Sequence, residues 1–376
     1  MLIAASGQAQ LPLPPGTRAD AERLFDQKGE GTLDCGVETR KPFLDFSFRY
    51  EVGYLVHCGL AQFQGRKATL GMLLRVKPVD GTPTFLGQSF AIPSAPEAMK
   101  GQINFKRLHA EIQFSGVYAA GQGTYENELA IVDEQNRVFR KKWRVRSEGA
   151  PGGETSPMSL AANTVESISL PHWDGAKDGS TGLRLTVLLD AAPFSKYSAT
   201  LHAWDRAFLL GAVSSVLRQL PLASVRLVAF NLDQQREIFR QEHFDTPGLA
   251  RLASTLAELE LKTISYKTLA QDKGWQQLLT RLVREECDRK PPSDAVVFIG
   301  ITQSFRSDWD KAELTIQAES STPIFYFEYS PTYGAEFPDV IERLTKKLDG
   351  SVYRLHSPED LANGLDKMRK VLRREQ

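Results

Sequence analysis

The chain has 376 residues, which is long for one domain and suits two. Hydrophobic residues make up 41% and charged residues 24%, as in ordinary soluble globular proteins. Lys and Arg total 46 and so do Asp and Glu, so no overall charge draws the chain to nucleic acid or to an anionic membrane. No apolar run reaches the ~18 residues of a membrane-spanning helix. We therefore expect neither a nucleic-acid partner nor a transmembrane segment.

Residues 1–32 form a leader with a short helix predicted over Thr17–Gln27. In "MLIAASGQAQ", Gly7 and Ala9 occupy the −3 and −1 positions of a signal-peptidase site, but the charged start and a longer apolar stretch are missing. Two interpretations stay open, the remnant of a signal peptide and a short disordered leader. The first places the protein in the periplasm or outside the cell, and the alternative is the cytoplasm.

Residues 33–147 are short alternating strands broken by Gly, Pro and Asp, with a hairpin of Tyr125–Val132 and Arg137–Val145. This pattern of short strands predicts an antiparallel β-sandwich of the immunoglobulin-like kind. In the basic run Val138–Arg146, alternation places Phe139, Trp143 and Val145 on one face and Arg140, Lys142 and Arg144 on the other. That pattern favours a charged edge strand over contact with nucleic acid.

Three cysteines fit an oxidising or a reducing compartment. Cys35 and Cys58 flank the first strands and are a possible disulfide if the protein is exported. Cys287 would then be unpaired. No two cysteines are close enough in sequence for a zinc knuckle.

Residues 148–167 are small, polar and rich in Gly and Pro, which predicts a linker. From Leu183 the periodicity changes to apolar strands that alternate with amphipathic helices, the first helix being predicted from Ser198 to Leu220. We expect residues 168–376 to form an α/β domain with a doubly wound, mostly parallel, Rossmann-like sheet.

The order of these elements over Ile168–Arg373 resembles a von Willebrand factor A-like domain, nearest to the VWFA-related proteins of acidobacteria. The segments that carry the resemblance are "LRLTVLLDAAP", "AWDRAFLL", "SVRLVAFNLDQQREIF", "DAVVFIGITQS" and "TPIFYFEY". The resemblance covers a little over half of the chain and leaves out the β-rich half.

The family implies a metal-ion-dependent adhesion site, in which D-x-S-x-S supplies an acid and two hydroxyls to a hard divalent cation. Asp190 matches the acid, but Ala192 and Phe194 stand where the serines belong. The later acidic turn is replaced by Gly300-Ile301-Thr302. We therefore expect a degenerate site without metal, which only an unusual loop could rebuild from Ser195 and Ser198.

Two roles remain for Asp190. It either caps the first helix or accepts hydrogen bonds from loop amides, or it belongs to a face that binds a partner without metal. That face would lie at the carboxyl ends of the strands, where aromatic and charged side chains together suit a protein interface. Its predicted members are Asp190, Phe194, Ser195, Lys196, Tyr197, Ser198, Asn231, Asp233, Gln303, Phe305 and Arg306.

Enzyme signatures are missing from the sequence. It has no G-x-G-x-x-G, no G-x-x-x-x-G-K-[ST] and no G-x-S-x-G, and its six histidines are scattered singly. His202 and Asp205 lie one helical turn apart, and we expect an ordinary pairing on that helix.

We therefore expect a non-enzymatic, cofactor-free protein-interaction or adhesion module in an exported or envelope assembly. One alternative is a carbohydrate-binding or cell-surface accessory protein in which the β-sandwich is the domain that binds. A less favoured alternative is an enzyme with an unrecognised site in the α/β crevice.

Overall fold

The computed structural model describes residues 2–4, 10–26, 32–94, 104, 110–148, 157–176, 182–195, 198–261, 274–302, 322–330 and 338–374. The chain divides into two compact units, Met1–Ser169 and Leu170–Gln376. Within the described ranges, no helix combines the length and apolar character needed to cross a membrane.

The first unit is built from strands with one helix beside them. Its described elements are β1 (Leu2–Ala4), β2 (Leu11–Pro12), α1 (Pro15–Asp26), β3 (Cys35–Thr39), β4 (Phe43–Leu44), β5 (Tyr50–Gly59), a 3-10 turn (Leu60–Phe63), β6 (Ala68–Pro78), β7 (Thr84–Ile92), β8 (Glu111–Ala120), β9 (Gly123–Asp133), β10 (Val138–Ser147) and β11 (Val165–Ser167). The last strand lies within the segment predicted to be a linker, and it pairs with β8.

These strands form two sheets around one hydrophobic core. The first sheet has the order β1-β8-β5-β3, with β4 added to β5 and β11 to β8, and the second has the order β10-β9-β6-β7-β2. Buried residues alternate along β5 and β6, as expected of strands with one face in a core. Phe139, Trp143 and Val145 of β10 pack against this core, so Arg140, Lys142 and Arg144 of the same strand point to the opposite face.

Two local interactions stabilise the strand pairing. Between β9 and β10, the Asp133 carboxylate accepts hydrogen bonds from the backbone N–H of Gln135 at 3.0 Å and of Arg137 at 2.8 Å, and this holds the turn. In the first sheet, Cys35 and Cys58 lie directly opposite each other on β3 and β5 and form a disulfide.

The second unit contains one six-stranded sheet flanked by helices. Its described elements are β12 (Leu183–Asp190), α2 (Ala203–Gln219), β13 (Leu222–Asn231), β14 (Arg236–Gln241), α3 (Thr246–Ala257), α4 (Gly274–Cys287), β15 (Ala295–Ile301), β16 (Ile324–Tyr329), α5 (Val340–Lys347), β17 (Ser351–Leu355) and α6 (Pro358–Arg374). The sheet order is β14-β13-β12-β15-β16-β17, with five strands parallel and β14 antiparallel to β13. The parallel strands β12, β15 and β16 are buried almost throughout, which explains their continuous apolar sequences.

The predicted fold class, an immunoglobulin-like antiparallel β-sandwich followed by a doubly wound Rossmann-like domain, is wrong. The chain is β-rich, with three sheets and, in its described part, six helices. β1 joins the first sheet parallel to β8, which an antiparallel sandwich does not contain. The third sheet is mixed because the connection after Asn231 is only a short turn, with Gln235 at φ 53°, and a turn of this length cannot make a parallel crossover.

Candidate interaction surface at the strand ends

The loop that follows β12 is anchored from within the sheet. Ala191 continues the strand by donating its N–H to the Phe230 carbonyl at 2.8 Å. The Asn231 side chain donates to the Ala191 carbonyl at 2.7 Å and accepts from the Gln234 N–H at 2.9 Å. Asn231 is fully buried, so this predicted partner-binding residue holds the loop in place from the inside.

Asp190 is buried beside Gly300 near the end of β15. A Cβ at Gly300 would lie 3.1 Å from the Asp190 Cβ and 3.4 Å from the Tyr326 hydroxyl, which is tighter than most such contacts, so glycine suits this close approach. Asp190 does not cap the first helix, because α2 begins at Ala203 with His202 as its N-cap. Burial raises the pKa of Tyr326, and the negative charge of Asp190 adds to this effect.

The buried acids continue away from Asp190 along the same edge of the sheet. Tyr326 donates its hydroxyl to Asp339 at 2.9 Å, and Asp339 also accepts from the Glu342 N–H at the start of α5. Burial, followed by the nearby charge of Asp339, raises the pKa of Glu328 to about 8. These carboxyls are almost completely shielded from solvent, so they lie below the surface that a partner could touch.

Asp205 joins the loop to the start of α2. One of its carboxylate oxygens accepts from the Phe194 N–H at 3.1 Å, and the other accepts from the His202 N–H at 2.8 Å. Asp205 is buried, with 1% of its surface exposed. The helix dipole also stabilises a carboxylate in the first helical turn. The interactions of Asp205 therefore hold the loop and the start of α2 together.

The outer side of this junction carries two exposed aromatic side chains. Phe194 is 39% exposed and Trp204 is 48% exposed; Phe194 is bonded to Asp205 through its N–H, and Trp204 precedes Asp205 in the chain. Ser198 Oγ lies 2.8 Å from His202 Nε2 at the same surface. We call the set Phe194, Ser195, Ser198, His202 and Trp204 the strand-end platform.

A second contact supports the strand-end platform from the side. The Leu261 N–H donates to the Ala199 carbonyl at 2.7 Å, and Thr200 forms an antiparallel bridge with Glu260. The loop is thus bonded to the segment after α3 as well as to α2. A fixed backbone reduces the entropy lost when an exposed side chain is captured by a partner.

The structure brings only part of the predicted face together. Ser195 is exposed and Asp233 is half-buried. Lys196, Tyr197, Gln303, Phe305 and Arg306 lie outside the described residues. Trp204 was missed because its i, i+4 spacing to Phe208 and Ala212 places it on the apolar repeat of α2 that faces the core. Its exposure at the first turn of the helix is visible only in the structure.

The residues of the loop do not fit the metal site that the family resemblance implies. Ala192 and Phe194 offer no oxygen ligand, and the Ser198 hydroxyl is bonded to His202. In the described ranges, no group of three or more His, Cys, Asp or Glu side chains is arranged to hold a metal ion.

The Ser198–His202 pair has the separation of a nucleophile and its base. However, both oxygens of Asp205 are bonded to backbone amides, so this carboxylate does not orient the imidazole ring. A serine triad needs that third group to fix the tautomer of the histidine. The pair is therefore incomplete as a catalytic triad built on Asp205.

Comparisons with known proteins give no identification. No family model matches the chain, and no curated protein matches it. Among solved structures, a lipoprotein from Bacteroides thetaiotaomicron is 9% identical over 33% of this chain and 88% of its own, with a TM-score of 0.19. A β-glucosidase from Listeria innocua is 9% identical over 32% of this chain and 17% of its own, with a TM-score of 0.19. A β-glucuronidase from Bacteroides uniformis is 9% identical over 84% of this chain and 38% of its own, with a TM-score of 0.21. Similarities this low carry no argument about fold or function.

Proposed function

We propose that the second unit is a metal-independent protein-binding module and that the strand-end platform is its contact surface. One observation carries the proposal: two large aromatic side chains, Phe194 and Trp204, are exposed on a junction that buried hydrogen bonds hold in place. We also propose that the chain has no enzymatic activity of its own.

The energetics of interfaces support this choice of residues. Tryptophan and other aromatic side chains bury a large area for little loss of rotamer freedom, and they are frequent among interface residues that contribute most to affinity. Polar neighbours such as Ser195 and His202 are suited to the hydrogen-bonded rim around such anchors. The platform thus has both an apolar centre and a polar border.

Two features support the absence of a metal in this mechanism. Alanine and phenylalanine replace the hydroxyl ligands, and Asp190 lies among other buried acids rather than at the surface. A partner would accordingly be held by apolar contact and hydrogen bonds, not through a bridging cation.

We further propose that the protein works in an exported or envelope assembly. The Cys35–Cys58 disulfide supports this, because such bonds persist in oxidising compartments. The small-residue pattern at Gly7 and Ala9 fits the same location.

Site-specific photo-crosslinking in the cells that make the protein tests the proposal. A photoreactive phenylalanine analogue is placed at Trp204 in the full chain, and adducts are identified by mass spectrometry. We expect one discrete protein adduct that also forms in the presence of EDTA.

The matched control places the same analogue at Phe43, which is 43% exposed in the first unit. An adduct of the same protein from both positions, or none from Trp204, would overturn the proposed surface.

A further inference from the structure

The second sheet of the first unit carries an open groove on its outer face. The groove has a volume of about 540 Å³, within the range of ~300–1,000 Å³ of small-ligand sites. It lies across β6, β9 and β10 and involves no residue of the strand-end platform. Its charged lining residues are Arg75, Lys77, Glu126, Glu128, Lys142 and Arg144.

Strand register arranges its charges in two rows, each with a carboxylate between two cations. In the first row, Glu128 is opposite Arg75 on one side and Lys142 on the other, and it is bonded to both. The Arg75 guanidinium also lies 3.5 Å from Asp26, so this row is close to neutral.

The second row has an excess of positive charge. Glu126 is opposite Lys77 and Arg144, and it accepts from the Arg144 guanidinium at 2.6 Å. That hydrogen bond, with the charges of Arg144 and the neighbouring lysines, lowers the pKa of Glu126, so it is ionised at neutral pH. One carboxylate cannot neutralise two cations, and Lys77 and Arg144 are both exposed.

We propose that this groove binds an anionic glycan, a sugar chain that carries carboxylate or sulfate groups and free hydroxyls. The excess positive charge at Lys77 and Arg144 would receive the anionic groups, since the guanidinium fork matches a carboxylate or sulfate. Glu126 would accept hydrogen bonds from sugar hydroxyls. A nucleic-acid backbone offers phosphates but few hydroxyl donors, so the interposed carboxylates disfavour it.

Trp143 supports the groove from below. Its indole packs against Tyr54 in the core with ring centroids 5.4 Å apart, and its neighbours Lys142 and Arg144 point to the outer face. This packing fixes the strand that carries the two cations.

Calorimetry on the full chain tests the proposal. The probes are polygalacturonate for carboxylate, dextran sulfate for sulfate, neutral dextran, and a single-stranded oligothymidylate. We expect one of the two anionic glycans to bind and the neutral dextran not to bind. The double variant Lys77→Gln, Arg144→Gln should weaken that binding at least about tenfold, because it removes the two cations that meet the anionic groups.

The matched control is Arg66→Gln, Lys67→Gln, which removes the same charge from the exposed residues just before β6. The groove is near the other end of β6, about 30 Å away along an extended strand. The control should bind like the unmodified protein. An equal loss in both double variants, tighter binding of the oligothymidylate, or no binding of either anionic glycan would overturn the proposal.

Discussion

Glu328 is a buried acid whose surroundings differ from those of an ordinary surface acid. It lies on the buried strand β16, near the carboxyl of Asp339, with the Arg354 guanidinium 3.5 Å away. Burial and the nearby acid both favour the protonated form and raise its pKa to about 8. An unfolded chain would release the same proton near 4.5.

The sign of the resulting pH dependence follows from proton linkage. Between pH 5 and pH 8 the folded protein binds a proton at Glu328 that the unfolded chain has lost, so stability falls as the pH rises. Over this interval the titration of Glu328 should lower the free energy of unfolding of the unmodified protein by about 3 kcal/mol. We expect Glu328→Gln to lack this fall. Urea unfolding at pH 5 and pH 8 measures it.

The control for this measurement is Glu359→Gln, an exposed acid in the first turn of α6. It should retain the fall in stability seen in the unmodified protein. If Glu328→Gln shows the same fall as this control, the buried carboxyl is not the group that titrates.

At the residue scale, the sequence indicates a buried acid at the end of a strand more readily than one within a strand. Asp190 stands out because it ends an apolar strand. Glu328 did not, because "PIFYFEYS" is a continuous apolar run whose single acid has its neighbours Asp339 and Arg354 on other elements. Which groups surround a buried carboxyl depends on the sheet order, which local patterns do not contain.

At the scale of elements, a charge network joins β13 and β14 to α4. Arg226 is buried, with 6% of its side chain exposed, and it forms ion pairs with Glu242, Glu285 and Glu286. Glu286 is 2% exposed and also accepts from the Thr186 hydroxyl at 2.6 Å. Hydrogen bonds from Arg289 and Arg226 outweigh the effect of burial and lower the pKa of Glu242 to about 2.

We expect Arg226→Ala to destabilise the protein by about 3–5 kcal/mol, because it leaves the Glu286 carboxylate buried without its cation. Arg281→Ala is the matched control, since Arg281 is 52% exposed and pairs with Glu237 and Glu285 at the surface. Its cost should be about 1 kcal/mol or less. Urea unfolding compares the two, and equal costs would show that burial does not determine the strength of this network.

Elements with a strong local pattern are predictable, but an end that depends on a contact with another segment is not. The apolar run Leu183–Asp190 predicts β12 with its observed bounds. The start of α2 was predicted at Ser198 but lies at Ala203, because Asp205 fixes His202 as the N-cap. For the candidate site, the position of Phe194 after β12 is enough to predict it from the sequence. The anchoring role of Asp205 is visible only in the folded structure, because it depends on contacts between the loop and α2.

At the scale of the whole molecule, the fold class could not be predicted because it depends on strand direction. Arg236–Gln241 forms β14, and only its short connection to β13 makes it antiparallel and the sheet mixed. Likewise, no pattern in Leu2–Ala4 indicates a parallel pairing with β8, more than a hundred residues away in the chain.

The disulfide of the first unit joins Cys35 and Cys58, which are 23 residues apart in the sequence. We expect Cys35→Ser, Cys58→Ser to lower the free energy of unfolding by about 3 kcal/mol, because the open loop restores entropy to the unfolded chain. Urea unfolding without reductant measures it. A reducing agent should lower the stability of the unmodified protein and leave that of the double variant unchanged, and the opposite pattern would contradict this role.

The most direct test of the central claim is the affinity of the protein identified by crosslinking at Trp204. Calorimetry in EDTA compares the unmodified chain, Phe194→Ala with Trp204→Ala, and Phe43→Ala as the exposed control. A metal-independent platform predicts binding that EDTA does not change, a loss of about 30-fold or more in the platform variant, and none in the control. Binding abolished by EDTA, or binding retained by the platform variant, would contradict the account.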